Sequence, residues 1–130
     1  MIVVDASIVA SALGDDGADG ERARGRLLGQ RLAAPELIDL EVASVWRRAA
    51  RAGRLGGKRA SQALNDLAAL PLARAPHQPL IGRIWELRDN LTPYDAAYVA
   101  LAEMLQAPLI TADRRLAQAS GARCEIDLLG

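Results

Sequence analysis

The segment MIVVDASIVASAL, residues 1–13, decides the fold class of this chain. Its β-branched run, Ile2–Val4, is typical of a short strand that is buried on both faces. The apolar stretch after Asp5 predicts a helix. The first unit is therefore a strand, an acid and a helix, which is how a parallel α/β sheet begins.

The rest of the chain repeats this alternation. Further short strands are predicted at residues 32–35, 71–76 and 109–111, with an edge strand in 124–129. Helices are predicted at residues 6–13, 21–32, 36–53, 58–70, 78–90 and 93–105, with a last short helix after Asp113. Strands separated by helices predict an α/β fold with a mainly parallel sheet covered on both faces.

Length and composition limit the class of protein. The 130 residues, 51% of them hydrophobic, predict a single domain spanning residues 1–130. Sixteen basic and sixteen acidic side chains cancel, so any nucleic-acid partner has to be recognised by a local cluster. Cys124 is the only cysteine, which excludes an internal disulfide. Without a signal peptide or a long apolar run, we expect a cytoplasmic chain with no membrane contact.

Three acids are predicted to meet at one rim of the sheet. Asp5 and Asp113 follow two buried strands, and the carboxyl ends of parallel strands share a rim. Asp95 opens the helix that leads into the second of these strands. Helix capping explains each acid separately, because Asp5 and Asp113 are good N-caps and Asp95 lies in the first turn after Thr92. Both roles remain open for all three.

A fourth acid, Glu41, interrupts an apolar helix on the flank of the stripe that contains Ile38 and Val45. An ordinary surface position explains it equally well. Four carboxylates at one rim would repel each other by roughly 4 kcal/mol per close pair, so a divalent cation is expected among them. Oxygen ligands alone favour Mg²⁺ or Mn²⁺, whereas zinc is disfavoured because the sole histidine, His77, lies in a loop.

Such a centre suits hydrolysis of a phosphodiester by an activated water. We expect Asp5, Asp95 and Asp113 to hold the metal ion, and Glu41 to complete the catalytic set. A route through the ribose 2′-hydroxyl needs a general acid and base that the sequence does not offer. The expected products therefore carry a 5′-phosphate and a 3′-hydroxyl.

Four motifs in order, VVDASIV, EVASVWRR, YDAAYVALAE and LITADRRL, resemble the PIN domain family, and in particular its VapC-like ribonuclease toxins. The resemblance covers nearly the whole chain. It implies a three-layer α/β/α sandwich and a Mg²⁺- or Mn²⁺-dependent endoribonuclease whose acids match Asp5, Glu41, Asp95 and Asp113. It also implies a homodimer, and a cognate antitoxin that blocks the acidic pocket of the toxin.

The resemblance extends to supporting polar residues. Ser7 and Thr111 match small polar positions of the family, and Ser44 stands where many relatives carry asparagine. Local hydrogen bonds to the backbone explain all three residues without any contact to a substrate.

Basic residues that could contact RNA phosphates follow Glu41 and Asp113. One run contains Arg47, Arg48, Arg51, Arg54, Lys58 and Arg59, and the second contains Arg114 and Arg115. A solvated helix end explains the first run equally well. With 3% aromatic residues, recognition is expected to depend on RNA shape and backbone, and Trp46 and Trp85 are expected in the core or an interface.

Three other protein classes are alternatives to a metal-dependent ribonuclease. A phosphate-receiving signalling domain needs an acidic pair at the first strand and a late lysine, whereas the only lysine, Lys58, follows a turn between helices. A haloacid-dehalogenase-like phosphatase needs a second aspartate where Ser7 stands. A PIN-like module that binds RNA or protein without cutting is the more serious alternative, although four unused like charges would reduce stability.

Overall fold

A five-stranded parallel sheet forms the centre of the computed structural model, which describes residues 1–130. The strand order is β3-β2-β1-β4-β5, and every neighbouring pair is parallel. The strands are β1 (Ile2–Val4), β2 (Leu32–Pro35), β3 (Leu72–Ala75), β4 (Leu109–Thr111) and β5 (Ile126–Leu128). The predicted parallel sheet and its edge strand are confirmed.

Seven α-helices and one 3-10 helix connect the strands. They are α1 (Ala6–Gly14), α2 (Ala18–Leu27), α3 (Ile38–Arg51), α4 (Gly57–Ala69), the 3-10 helix Gln78–Leu80, α5 (Ile81–Glu86), α6 (Pro93–Leu105) and α7 (Arg114–Ala117). Helix α1 packs against α2, α3 and α4, whereas α6 packs against α5 and strands β1, β2 and β4. This is the three-layer α/β/α architecture that the motifs imply.

Several helix boundaries differ from the predicted ones for local reasons. Helix α2 begins at Ala18 and ends before Gly29, whose positive φ of 74° reverses the chain ahead of β2. Helix α3 begins only at Ile38, because the Glu36 N–H donates to the Ala75 carbonyl at 2.9 Å and extends the β2–β3 ladder. The predicted helix 78–90 is divided into the 3-10 helix and the short α5.

Two glycines allow close packing around α1. A Cβ at Gly14 would lie 2.4 Å from Nε1 of Trp46, and a Cβ at Gly20 would lie 1.8 Å from the Asp15 carbonyl oxygen. Larger residues at either position would therefore force α3 or α2 away from α1. Trp46 is buried, in agreement with its predicted core position.

Small aliphatic side chains fill the core in place of phenylalanine, which is absent. Helix α6 is its central element, since the seven consecutive residues 96–102 are all buried. Five of these seven are alanine or valine, so the helix can lie close to the sheet.

No helix of the protein combines the length and hydropathy required to span a membrane.

Candidate active site

The carboxyl ends of β1 and β4 lie side by side at one rim of the sheet. Val4 is in register with Ile110, and the Asp5 N–H donates to the Ile110 carbonyl at 3.2 Å. Asp5 directly follows β1, and Asp113 lies two residues beyond the end of β4. The strand pairing therefore brings two acids that are 108 positions apart in the sequence to the same rim.

Asp5 is the most buried acid of the chain, with an exposed fraction of 6%. Its carboxylate accepts hydrogen bonds from the Ser7 hydroxyl at 2.5 Å, from the Ile8 N–H at 3.2 Å and from the Thr111 hydroxyl. Burial raises the pKa of Asp5, the three hydrogen bonds oppose this shift, and the charge of Asp113 adds to it. Asp5 is thus both the N-cap of α1 and a charge held in a desolvated position.

Ser7 and Thr111 connect this carboxylate to the loop after β4. Besides donating to Asp5, the Ser7 hydroxyl accepts from the Ala112 N–H at 3.0 Å, and the Thr111 hydroxyl accepts from the Asp113 N–H at 3.0 Å. Thr111 therefore makes the local backbone bond that the sequence offered as an alternative, whereas the Ser7 bond is long-range, and both hydroxyls also orient the Asp5 carboxylate.

Glu41 lies in the first turn of α3 and points toward α6. Its Oε1 accepts a hydrogen bond of 2.6 Å from the hydroxyl of Tyr98, a residue that is 1% exposed. Burial raises the pKa of Glu41, the Tyr98 bond lowers it, and the charges of Asp95 and Asp5 raise it further. A simple surface position therefore does not describe Glu41.

Sequence reasoning missed Tyr98. The available signal was its position three residues after Asp95 in α6, which places both side chains on the same side of the helix. A buried tyrosine hydroxyl needs a hydrogen-bond partner, and the only acid of α3 that lies on its apolar flank is Glu41.

Asp95 begins α6 as expected, but its carboxylate does not reach back to the helix start. The Thr92 hydroxyl caps the helix by accepting from the Asp95 N–H at 3.2 Å. The carboxylate instead accepts from Nη2 of Arg115 at 2.7 Å, and the same nitrogen lies 3.2 Å from Oδ2 of Asp113. Asp113 also caps α7 by accepting from the Arg115 N–H at 2.9 Å. One guanidinium thus bridges two of the predicted ligands.

The remaining predicted site residues of α3 make no hydrogen bond to the four acids. Ser44 is exposed, and its hydroxyl accepts from Arg48 at 3.0 Å. Among the arginines of the first basic run, Arg48 and Arg51 are exposed on α3, and Arg47 is likewise exposed one turn after Ser44. None of these residues takes part in the hydrogen bonds around Asp5 or Glu41.

A cleft of about 630 Å³ lies between α1 and α3, and none of the four site acids lines it. Ser7 lies at one end, and Arg54 and Arg59 also line it. Arg59 is already engaged, since it donates to both carboxylate oxygens of Asp16 and to the Leu13 carbonyl. Arg54 makes no side-chain hydrogen bond and is exposed to solvent in the cleft.

The side chains around the rim suit a hard cation by their chemistry. All four predicted acids interact electrostatically: Asp5 with Asp113, and Glu41 with both Asp5 and Asp95. Their oxygens are the donors that Mg²⁺ and Mn²⁺ prefer. The side chains do not form a ready-made group of three metal-holding residues, and Asp95 and Asp113 both form ion pairs with Arg115. The chemistry of the donor set therefore fits the ion, although the side chains are not arranged around one.

Several known proteins are similar to this chain in sequence. Residues 2–122 match the PIN domain family. Ribonuclease VapC9 of Mycobacterium tuberculosis strain H37Rv is 46% identical over 129 residues, which cover 99% of this chain and 98% of the relative. Ribonuclease VapC1 of the same strain is also 46% identical, over 98% of this chain and 96% of the relative.

Two solved structures share the fold. The crystal structure of PAE2754 from Pyrobaculum aerophilum superposes with a TM-score of 0.69 and 26% identity, covering 98% of this chain and 83% of that one. A toxin-antitoxin complex from Klebsiella pneumoniae contains a chain that superposes with a TM-score of 0.61 and 20% identity, covering 91% and 92% of the two chains. This chain therefore belongs to the PIN domain family, and within that family it is similar to the VapC ribonucleases.

Proposed function

We propose that this protein is a metal-dependent endoribonuclease and the toxin of a toxin-antitoxin pair. One observation supports the proposal most strongly. Two desolvated acids, Asp5 and Glu41, interact electrostatically with two further acids, Asp113 and Asp95, at one rim of the sheet. Identity of 46% to ribonucleases along nearly the whole chain supports the same reaction class. The proposed site residues are those predicted from the sequence, with Tyr98 added.

PIN ribonucleases generally depend on a divalent metal ion, and for this chain we propose Mg²⁺ or Mn²⁺. Asp5, Asp95 and Asp113 are the residues that would hold it. When bound, the ion supplies positive charge that favours ionisation of an attacking water and offsets charge on the phosphate. The raised pKa values of Asp5 and Glu41 support this assignment, because a nearby cation stabilises the ionised form of both acids.

The protein's own side chains orient the reacting groups. Ser7 and Thr111 hold the Asp5 carboxylate in one orientation, and Tyr98 holds Glu41. Glu41 is the residue that we propose to accept a proton at a carboxylate oxygen, because an acid with a raised pKa exchanges protons more readily near neutral pH. The products are a 5′-phosphate and a 3′-hydroxyl.

RNA is proposed to enter along the cleft between α1 and α3. The cleft extends from Ser7, which donates to Asp5, to Arg54, and Asp15 and Asp16 also line it. Cations that follow an acidic centre attract the polyanion without reading its bases. Arg47, Arg48, Arg51, Arg114 and Arg115 remain proposed phosphate contacts.

The proposed partners are a cognate antitoxin and a second copy of this chain. The structural similarity to a chain of a toxin-antitoxin complex supports the antitoxin. For the homodimer, the large apolar side chains that are more than half exposed include Ile81, Trp85 and Tyr94. Ile81 and Tyr94 line one shallow cleft of about 250 Å³, so they offer a continuous apolar surface. We place the activity in the cytoplasm, with cellular RNA as substrate.

Cleavage of a structured RNA by the purified chain tests the function directly. We expect cutting with Mg²⁺ or Mn²⁺, none with EDTA, and fragments that carry a ligatable 5′-phosphate. Asp5→Asn and Asp95→Asn should lower the rate by about 100-fold or more, since each removes a charge needed for the reaction. Equal cutting by all three proteins would reveal a contaminant, and RNA binding without cutting would favour the non-catalytic module.

A further inference from the structure

We propose that Arg115 is an exchangeable internal counter-ion, which holds Asp95 and Asp113 in the metal-free protein and has to leave them when a divalent cation binds. The inference rests on the proposed metal site, but it concerns a residue that competes with the metal rather than a ligand. Its basis is the position of one nitrogen, Nη2, at 2.7 Å from Asp95 and 3.2 Å from Asp113.

The two acids have no other positive partner. Asp95 and Asp113 form ion pairs with Arg115 alone, and their side chains are 19% and 38% exposed. Each also repels another acid of the rim, since the charge of Asp113 raises the pKa of Asp5 and the charge of Asp95 raises the pKa of Glu41. The guanidinium therefore supplies the positive charge that the rim lacks without a metal ion.

The ion pairs of Arg115 with Asp95 and Asp113 can break at little cost in free energy. The Arg115 side chain is 63% exposed, so its solvation changes little when it leaves. Its N–H still caps α7 through Asp113 Oδ1, which leaves the position of the backbone unchanged when the side chain moves. Exposed ion pairs contribute little free energy, and a divalent ion with carboxylate ligands competes with them effectively.

Arg114 provides a matched control. It is the adjacent residue and carries the same charge, but it forms no ion pair with any acid of the rim. Neutralising Arg114 changes the net charge by one unit without freeing Asp95 or Asp113. A difference between variants at these two positions therefore reports on the bridge rather than on overall charge.

Titration of the purified proteins with MnCl₂, followed by isothermal calorimetry, tests the exchange without any cleavage assay. We expect Arg115→Ala to bind Mn²⁺ about three-fold more tightly or better than wild type, since the ion no longer displaces two ion pairs. Arg114→Ala should bind as wild type does. Arg115→Ala and Arg114→Ala with the same Mn²⁺ affinity would overturn the exchange while leaving the metal site intact.

Thermal unfolding supplies a second readout. In EDTA, Arg115→Ala should melt at a lower temperature than Arg114→Ala, and saturating Mn²⁺ should close or reverse this gap by linkage. A gap of unchanged size with and without Mn²⁺ would mean that Arg115 is only structural. Absence of Mn²⁺ binding to the wild-type protein would overturn both the exchange and the proposed metal-dependent function.

Discussion

The hydroxyl of Tyr98 donates a hydrogen bond of 2.6 Å to Glu41, and thereby joins α6 to the first turn of α3. The bond lowers the pKa of Glu41 against the effect of burial and of the neighbouring acids. Replacing Tyr98 by phenylalanine should consequently raise this pKa further. The acidic limb of the pH–rate profile should then move to higher pH, with activity about ten-fold lower at mildly acidic pH.

The measurement is the cleavage rate between pH 5 and 9 for Tyr98→Phe and for Tyr94→Phe. Tyr94 is 65% exposed and serves as the control for loss of a tyrosine hydroxyl from the same helix. A Tyr98→Phe profile that is lower at all pH values by one constant factor would show that the bond only stabilises the fold.

Asp5 combines a capping role with a destabilising charge, and two substitutions separate them. Asp5→Asn keeps the N-cap but removes the charge, whereas Asp5→Ala removes both. Because the pKa of Asp5 is raised in the folded state, its ionisation opposes folding as the pH rises above about 3.8, its ordinary value. Asp5→Asn should therefore be more stable than wild type at pH 7 in EDTA, and this advantage should vanish near pH 3.

Chemical unfolding at both pH values measures this difference. Asp5→Ala should be less stable than Asp5→Asn by at least about 1 kcal/mol at both, since it removes the cap and also the acceptor for the Ser7 and Thr111 hydroxyls. Both variants should be inactive in cleavage. If Asp5→Asn unfolded more easily than wild type at pH 7, the burial argument for this acid would be wrong.

The fold followed from the sequence because local and global signals agree in this chain. The three central strands, β1, β2 and β4, are short apolar runs beside proline or an acid, and burial on both faces leaves their pattern continuous. The helix ends were less accurate, because Glu36 joins the sheet through a bond to Ala75, a partner 39 residues away in the sequence. Such long-range contacts have no local signal.

The same distinction applies to the site. Asp5, Asp95 and Asp113 were recognisable because each stands at a helix start beside the predicted rim. The contacts that give them their properties were not recognisable, since Tyr98 reaches Glu41 and Arg115 reaches Asp95 only after the helices have packed. Local sequence patterns therefore predicted which acids lie at the rim, whereas the hydrogen bonds and ion pairs of these acids depend on tertiary packing.

Arg54 should contribute to RNA affinity through charge alone. It lines the cleft and makes no side-chain hydrogen bond, so Arg54→Ala leaves the fold intact. Binding of a single-stranded RNA should weaken. The negative slope of the logarithm of the association constant against the logarithm of the salt concentration should become shallower by about 0.7, for one lost phosphate contact. Binding is measured in the inactive Asp5→Asn background. Arg31→Ala, which removes an exposed charge at the amino end of β2, should leave the slope unchanged.

Ile81 lies in the apolar surface proposed for the homodimer. A charge placed there would be desolvated in the interface, so Ile81→Glu should convert the dimer to a monomer in light scattering coupled to size exclusion. Leu28 is 82% exposed elsewhere, at the end of α2, and Leu28→Glu should remain dimeric. Wild-type protein that is monomeric at micromolar concentration would contradict the proposed dimer.

Glu103 and Arg83 connect α6 to α5 through two parallel hydrogen bonds of 2.7 and 3.1 Å. Burial alone would raise the pKa of Glu103, but bonds from Arg83 and from the Arg123 N–H lower it overall. The ionised pair therefore stabilises the fold above pH 4.5, the ordinary value, and this contribution is lost as the pH falls through the folded-state pKa. Glu103→Gln should lose about 2 kcal/mol of unfolding free energy at pH 7 and less at pH 3, measured by urea denaturation.

Asp19→Asn provides the control, because it breaks the exposed pair with Arg22 instead and should change the free energy of unfolding by less than about 0.5 kcal/mol at either pH. Equal losses for the two substitutions would show that burial adds nothing to the Glu103 pair.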